Sequence, residues 1–275
     1  VTETGNPVPT HPFDAAVALT PRGGDRFAGH THPAYGNMVG PFGGITAATL
    51  LRAAQQHPDR LGDPLALTVN FAGPVADGPF EVTATPLRTN RSTQHFALTL
   101  TQDGAVRTTG TAVFGTGRTT WTDTEAVAPD VKAPEDVPVR PSPGHVAFTD
   151  NYEIRFVEGA LPDGETAGQA DSTTTLWMRD RPVRPLDHAA LAALADVFYP
   201  RVLLRTGRFV PAGTVSLTTY FHADAARLAA QGDEPVLGRA RAGGFGNGFF
   251  DQSARLWARD GALLATSHQW VYFKD

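Results

Sequence analysis

The chain contains no cysteine in its 275 residues, which removes disulfide frameworks, thiolate metal sites and thiol nucleophiles together. Lysine is nearly as scarce: Lys132 and Lys274 are the only two, and the other basic residues are arginines scattered along the chain. No basic stripe is available for a phosphate backbone, so nucleic acid is not expected as a partner. No apolar run approaches the length that crosses a bilayer, and Val1-Thr-Glu-Thr-Gly5 lacks the basic start and apolar run of a secretory signal. The expectation is a cytoplasmic protein without membrane contact. The G-x-S-x-G turn of the common serine hydrolases and the histidine pair of metallohydrolases are also missing. What remains is 41% hydrophobic and 19% charged residues with a net charge of -5, ordinary values for a globular protein of one large or two modest domains.

The most informative positive feature is repetition. Leu65-Ala-Leu-Thr-Val-Asn-Phe71, Phe80-Glu-Val-Thr-Ala-Thr85, Asn90 and Asp103-Gly104 occur in the same order as Val215-Ser-Leu-Thr-Thr-Tyr-Phe221, Pro235-Val-Leu-Gly-Arg-Ala240, Asn247 and Asp260-Gly261. The last two pairs keep one offset of 157 positions. Such order points to duplicated units that pair or stack.

In the first copy, Ala15–Leu19 and Asp25–Ala28 read as an opening hairpin, and Pro41-Phe-Gly-Gly44 leads into an Ala-rich helix over 45–56. Strands are expected near 65–73, 80–89, 94–102 and 105–114. Residues 121–147 are too rich in proline for either element and read as an extended surface linker. The second copy repeats the order, with strands near 152–157 and 173–178, then a helix over 188–196 that Asp187 would cap. Four strands follow near 214–222, 235–242, 249–258 and 262–273. The boundaries are therefore 1–120, a linker 121–147, and 148–275, in one α+β protein of two joined sheet-and-helix units.

Asp196 at the end of the second helix, Thr214 opening a strand and Gln269 in the last strand form the first candidate site. A carboxylate, a hydroxyl and an amide converging from these elements would grip one water and make it a nucleophile. In the first copy Gln269 aligns with Ala112 and Thr214 with Pro64, so the trio cannot form twice. Gly43 and Gly44, after Phe42, would present helix-start N–H groups to a developing oxyanion, or simply allow a tight turn. Arg88, Arg91, Arg239 and Arg241 are candidates to meet phosphates, against the simpler reading of solvated charge. Gly243–Gly248 reads as a bend or hairpin loop, with Phe245 as a candidate substrate contact. His30, His32, His222 and His268 read as satisfied core or rim residues rather than metal ligands. Phe42, Trp177, Phe198, Tyr199, Phe221, Phe245, Phe249 and Phe250 are expected in the core.

With these residues in place, the chain resembles the acyl-CoA thioesterase II (TesB-like) family of double hotdog proteins. The resemblance rests on Phe42-Gly-Gly-Ile-Thr-Ala-Ala-Thr-Leu-Leu-Arg-Ala-Ala54, Leu67–Phe71 with Gly73-Pro74, Leu194-Ala-Asp196, Thr214–His222 and Asp260–Gln269. It implies two long helices, each wrapped by an antiparallel sheet. It also implies a water held by Asp196, Thr214 and Gln269, an acyl-CoA substrate, and no metal or redox cofactor. On this reading the acyl chain enters apolar space between the halves, with CoA phosphates near arginines; a homodimer is the expected assembly. Two departures are expected to alter the pocket: Ser216-Leu217 replace a common Asp-His, and Trp270-Val-Tyr-Phe273 replaces a short Glu-Gly segment. A non-hydrolytic acyl-thioester-binding or dehydratase-like hotdog is the alternative.

Overall fold

Alternation of apolar and polar residues gives most strands one face to bury, and two Ala-rich segments supply the helices that bury it. The structure, a computed structural model, describes residues 11–161 and 164–274; Val1–Gly5, where a leader was sought, lie outside the described residues. The first half contains α1 (Pro12–Ala16), β1 (Thr20–Gly23), β2 (Arg26–His30), α2 (Gly43–Gln56), β3 (Asp63–Phe71), β4 (Pro79–Thr89), β5 (Thr93–Gln102) and β6 (Ala105–Gly115). The second contains β7 (Tyr152–Glu158), β8 (Thr174–Asp180), α3 (His188–Leu194), α4 (Arg201–Thr206), β9 (Ala212–Phe221), α5 (Ala225–Gln231), β10 (Val236–Arg241), β11 (Phe245–Gly246), β12 (Phe249–Trp257) and β13 (Leu263–Phe273).

All strands join one antiparallel sheet in the order β1-β2-β4-β5-β6-β3-β9-β13-β12-β10-β8-β7, with β11 paired to β12. The order reads the same from either end, so the halves are related by a pseudo-twofold axis. That axis passes between β3 and β9, where Thr68 pairs with Thr218, its own counterpart, and their hydroxyls lie 3.0 Å apart. On the inner face, Leu67, Val69, Phe96, Leu98 and Leu100 close over α2, while Leu176, Met178, Leu217, Ala254 and Leu256 close over α3. Both helices are buried on nearly every side, α3 at all seven positions. They pack against each other with the start of α2 beside the end of α3, and Gly44 makes the crossing possible. A Cβ there would lie 2.6 Å from Ala193 O and 2.4 Å from Phe42 Cε1.

Several expectations need correction. The opening hairpin starts at Thr20, because Ala15 and Ala16 belong to α1. Pro12 occupies the first turn of that helix, His11 caps it and Phe13 is fully buried. The second helix ends at Leu194, half the length of its counterpart. The chain then bends through Asp196 to Pro200, which disfavours a helical Tyr199 and starts the unanticipated α4. The unanticipated α5 is capped by Asp224, which accepts from Arg227 N–H. Phe245 and Phe249 are more than one-third exposed, since Phe249 takes the outward slot beside inward-facing Phe250 and β11 sits at the sheet margin. Asn247 and Gly248 take φ of +53° and +76° in the β11–β12 turn, the conformation that a two-residue hairpin of this hand requires.

The proline-rich segment does more than connect. Trp177, Leu237 and Trp257 share the outer face of β8, β10 and β12 and are covered by Val137 and its neighbours. Each indole N–H donates to a linker carbonyl, Trp177 to Lys132 and Trp257 to Ala126. Trp177 is therefore buried beneath this strap rather than against a helix.

Candidate active site

The structure brings Asp196, Thr214 and Gln269 together at one point between the halves. Asp196 lies two residues beyond α3, where Ala195 caps the helix and turns the carboxylate towards the start of α2. Gly44 N–H faces that carboxylate from the other half and favours its charged form. Gly43 permits the approach, because a Cβ there would stand 2.7 Å from Asp196 Oδ2 and 3.4 Å from Phe71 Cζ. Gln269 takes an inward slot of β13, is 4% exposed, and accepts from Thr214 Oγ1 at 3.0 Å. That bond fixes the orientation of the amide. Gln269 Nε2 then turns to the Asp196 carboxylate and favours its charged form, yet sits too loosely to complete a hydrogen bond.

Two opposed effects set the acidity of Asp196. Enclosure by protein disfavours the anion and dominates; Gln269 and the Gly44 amide oppose it, and the pKa comes to about 7. Asp196 as a residue is nevertheless partly exposed, as is Thr214. A group deep in the protein but reached by water is placed to take a proton near neutral pH.

The corresponding place under the pseudo-twofold axis is filled differently. Counted from the starts of α2 and α3, Leu51 stands where Asp196 stands, and Pro64 and Ala112 replace Thr214 and Gln269. Arg52 of α2 meets Asp187, the cap of α3, at 3.1 Å. An ion pair thus occupies the end of the helix pair opposite Asp196.

Other expected contacts are distributed differently. Gly44 N–H is turned to Asp196, whose anion it favours. Phe42 is buried, stacked on Phe148 at 4.2 Å and set edge-on to Tyr152 at 6.1 Å, forming a wall beside the α2 start. Arg88 and Arg91 do not join the trio. Arg88 near the end of β4 and Arg91 in the β4–β5 turn lie at the far end of α2, where Gln94 is tied to Asp59 and Leu61 just beyond that helix. A helix of fourteen residues separates them from Gly43 by roughly 20 Å. Arg239 and Arg241 are held in ion pairs with Glu158 and Asp171. Phe245 packs its ring 5.4 Å from that of Phe250. Trp270, expected to shape the pocket, points outward, half exposed and stacked on Phe249; Leu217 does face inward, paired with Gln269. His30 and His32 are engaged locally, with Thr31 O and Ala34 N–H. A small cavity lined by Ile45, Thr46 and Thr49 lies under the 30–41 loop and does not include the trio.

Sequence reasoning overlooked Gln252 and Arg201. Gln252 pairs across β12 and β13 with Gln269 and is 2% exposed, while Arg201, fully buried, donates to its Oε1 at 3.0 Å. A glutamine between inward-facing Phe250 and Ala254 was the available signal.

Comparisons with known proteins agree with this architecture. The family model described as the acyl-CoA thioesterase N-terminal domain matches residues 32–115, and that described as the C-terminal domain matches residues 130–273. A solved protein of unknown function with a hot dog fold from Alicyclobacillus acidocaldarius is 54% identical, with a TM-score of 0.92 over 97% of this chain and 99% of that one. A thioesterase II candidate from Thermobifida fusca shares the fold at 23% identity, with a TM-score of 0.83 over 98% and 99% of the two chains. So does a tesB protein from Mycobacterium avium subs paratuberculosis, at 18% identity and a TM-score of 0.76 over 96% and 98%. The search of curated proteins returned no match. No helix among the described residues is long and apolar enough to cross a membrane. With both family domains matched in order over most of its length, the chain belongs to the acyl-CoA thioesterases and is a thioester hydrolase of the hotdog fold.

Proposed function

We propose that the protein hydrolyses an acyl-CoA thioester to the free acid and CoA by direct attack of a water held at Asp196, Thr214 and Gln269. The observation that carries this reading is the meeting of the three side chains beside a carboxylate whose pKa is about 7. The water gives a proton to Asp196 as its oxygen bonds to the acyl carbon. Collapse of the tetrahedral intermediate breaks the C–S bond, and the proton on Asp196 returns to the departing thiolate. Water does the whole displacement, and no acyl-enzyme forms. On this reading residues 148–275 carry the chemistry, residues 1–120 supply the opposing wall and the Gly44 amide, and the ion pair of Arg52 with Asp187 closes the degenerate counterpart.

Wild-type protein assayed against a panel of acyl-CoA thioesters is expected to release CoA thiol, and an inert protein across chain lengths would sink the proposal. The base must be ionised to act, so kcat/KM is expected to rise with pH through a midpoint near 7. A limb near 4 instead would mean that Asp196 is not the base. Thr214→Val removes the hydroxyl that orients Gln269 and is expected to lower kcat about tenfold without changing the fold. Thermal unfolding alongside steady-state kinetics distinguishes that outcome from general damage.

A further inference from the structure

The amide of Gln252 is a buried donor with nothing to donate to. Its oxygen accepts from Arg201 Nε at 3.0 Å, which fixes the amide orientation and leaves Nε2 without a partner at 2% exposure. Gln269, directly opposite on β13, repeats the arrangement: Thr214 holds its oxygen, and Nε2 lacks a full partner. Two neighbouring inward amides thus have their acceptors occupied; the Gln269 donor is turned to Asp196, and the Gln252 donor has no partner.

Their placement is enforced from behind. Arg201 follows Asp196 by five residues, so one short segment carries both the base and the cation that orients Gln252. The guanidinium is fully buried, and its bonds run to Tyr199 O, Ser172 O, Thr174 Oγ1 and Gln252 Oε1, none of them a carboxylate. A buried cation satisfied only by neutral oxygens is an expensive way to hold one amide. That expense, together with the vacant donor, gives Gln252 a role beyond packing.

For a donor directly across from the amide that faces the base, one target is useful. The attacking water needs a free lone pair, and a further donor on it would weaken that pair. The thioester carbonyl oxygen instead gains negative charge as the water attacks, and donors aimed at it lower the barrier. The Gly44 amide is turned to Asp196 and favours its anion. We propose that Gln252 is a further catalytic residue, its Nε2–H donating to the carbonyl oxygen of the thioester as that oxygen becomes an oxyanion. The inference rests on the hydrolytic reading above.

Gln252→Glu and Gln252→Met test it. Glutamate keeps the volume and an oxygen for Arg201 but removes the N–H donor; methionine removes the donor without adding charge. Both are expected to lose about 10²-fold in kcat with KM within a few-fold of wild type, the size of one oxyanion donor. Gln252→Glu is expected to keep or raise the wild-type Tm. An added anion also raises the pKa of Asp196, so kcat must be compared on the plateau well above that titration. A Gln252→Glu defect that vanishes on the plateau, or a wild-type kcat in Gln252→Met, would overturn the proposal.

A ketone analogue of acyl-CoA, with the sulfur replaced by CH2, reads the same contact without turnover. Its carbonyl stretch is expected at lower frequency bound to wild type than to Gln252→Met. If wild type hydrolyses nothing yet shows that difference, the hydrolytic reading fails and the Gln252 contact stands. Equal frequencies, or no binding of the analogue, overturn the contact itself.

Discussion

Asp196→Asn is expected to lower kcat by 10²-fold or more while making the protein more stable at pH 8. Asparagine keeps the shape and can still face Gly44 N–H, but it cannot take a proton from water. The stability change follows from the displaced pKa. In the fold, Asp196 titrates at about 7 against 3.8 as an isolated side chain, mainly because enclosure penalises the anion. The protonated form therefore favours folding: its contribution is full below the unfolded pKa and is lost as pH climbs through 7. Asparagine pays no such penalty. The difference between variant and wild type should be small at pH 4 and grow towards an upper bound of about 4 kcal/mol at pH 8. Asp180, also pushed up to about 7 by burial, keeps part of the same slope in both proteins. Unfolding by urea at several pH values, beside CoA-release kinetics, checks both halves of the expectation. A variant less stable than wild type at pH 8 would show that the carboxylate is not held at a cost.

Gly44→Ala has the second large effect expected, and it acts on stability first. The added methyl would meet the Ala193 carbonyl at 2.6 Å, and that carbonyl belongs to a helix buried on all sides. It would also meet the Phe42 ring, which cannot swing aside because Phe148 is stacked on it at 4.2 Å. Overpacking of this kind costs about 3 kcal/mol, partly offset by about 1 kcal/mol from the better helix propensity of alanine. Separation of the helices also draws the Gly44 amide away from Asp196, so activity should fall in the surviving folded protein. Equilibrium unfolding at pH 5 measures the first effect. A change below about 0.5 kcal/mol would mean that the helix crossing has slack.

Alternation and the repeated Asp-Gly turns place the strands within a few residues, because period two survives wherever one face is buried. The duplicated order likewise anticipates the mirror arrangement of the sheet. The short helices were harder to see. Asp224 before Ala225-Ala-Arg-Leu-Ala-Ala-Gln231 carries a cap and good helix formers, yet the run is too short for periodicity to register. Asp196, Thr214 and Gln269 were legible as candidates, but the approach of Gly44 to Asp196 was not. It joins residues from different halves and depends on how closely two helices cross. Arg88 and Arg91 show the converse limit: their charge is plain in one dimension, and their distance from Gly43 is set by the direction of α2.

The self-pairing of Thr68 with Thr218 places the internal axis at a seam inside a single polypeptide. In an assembly of two identical chains, any substitution at such a seam appears twice and must suit both copies. Covalent fusion lifts that constraint. One lobe is free to lose the reacting groups and to specialise as a rigid wall, while its sibling refines a solitary reaction chamber.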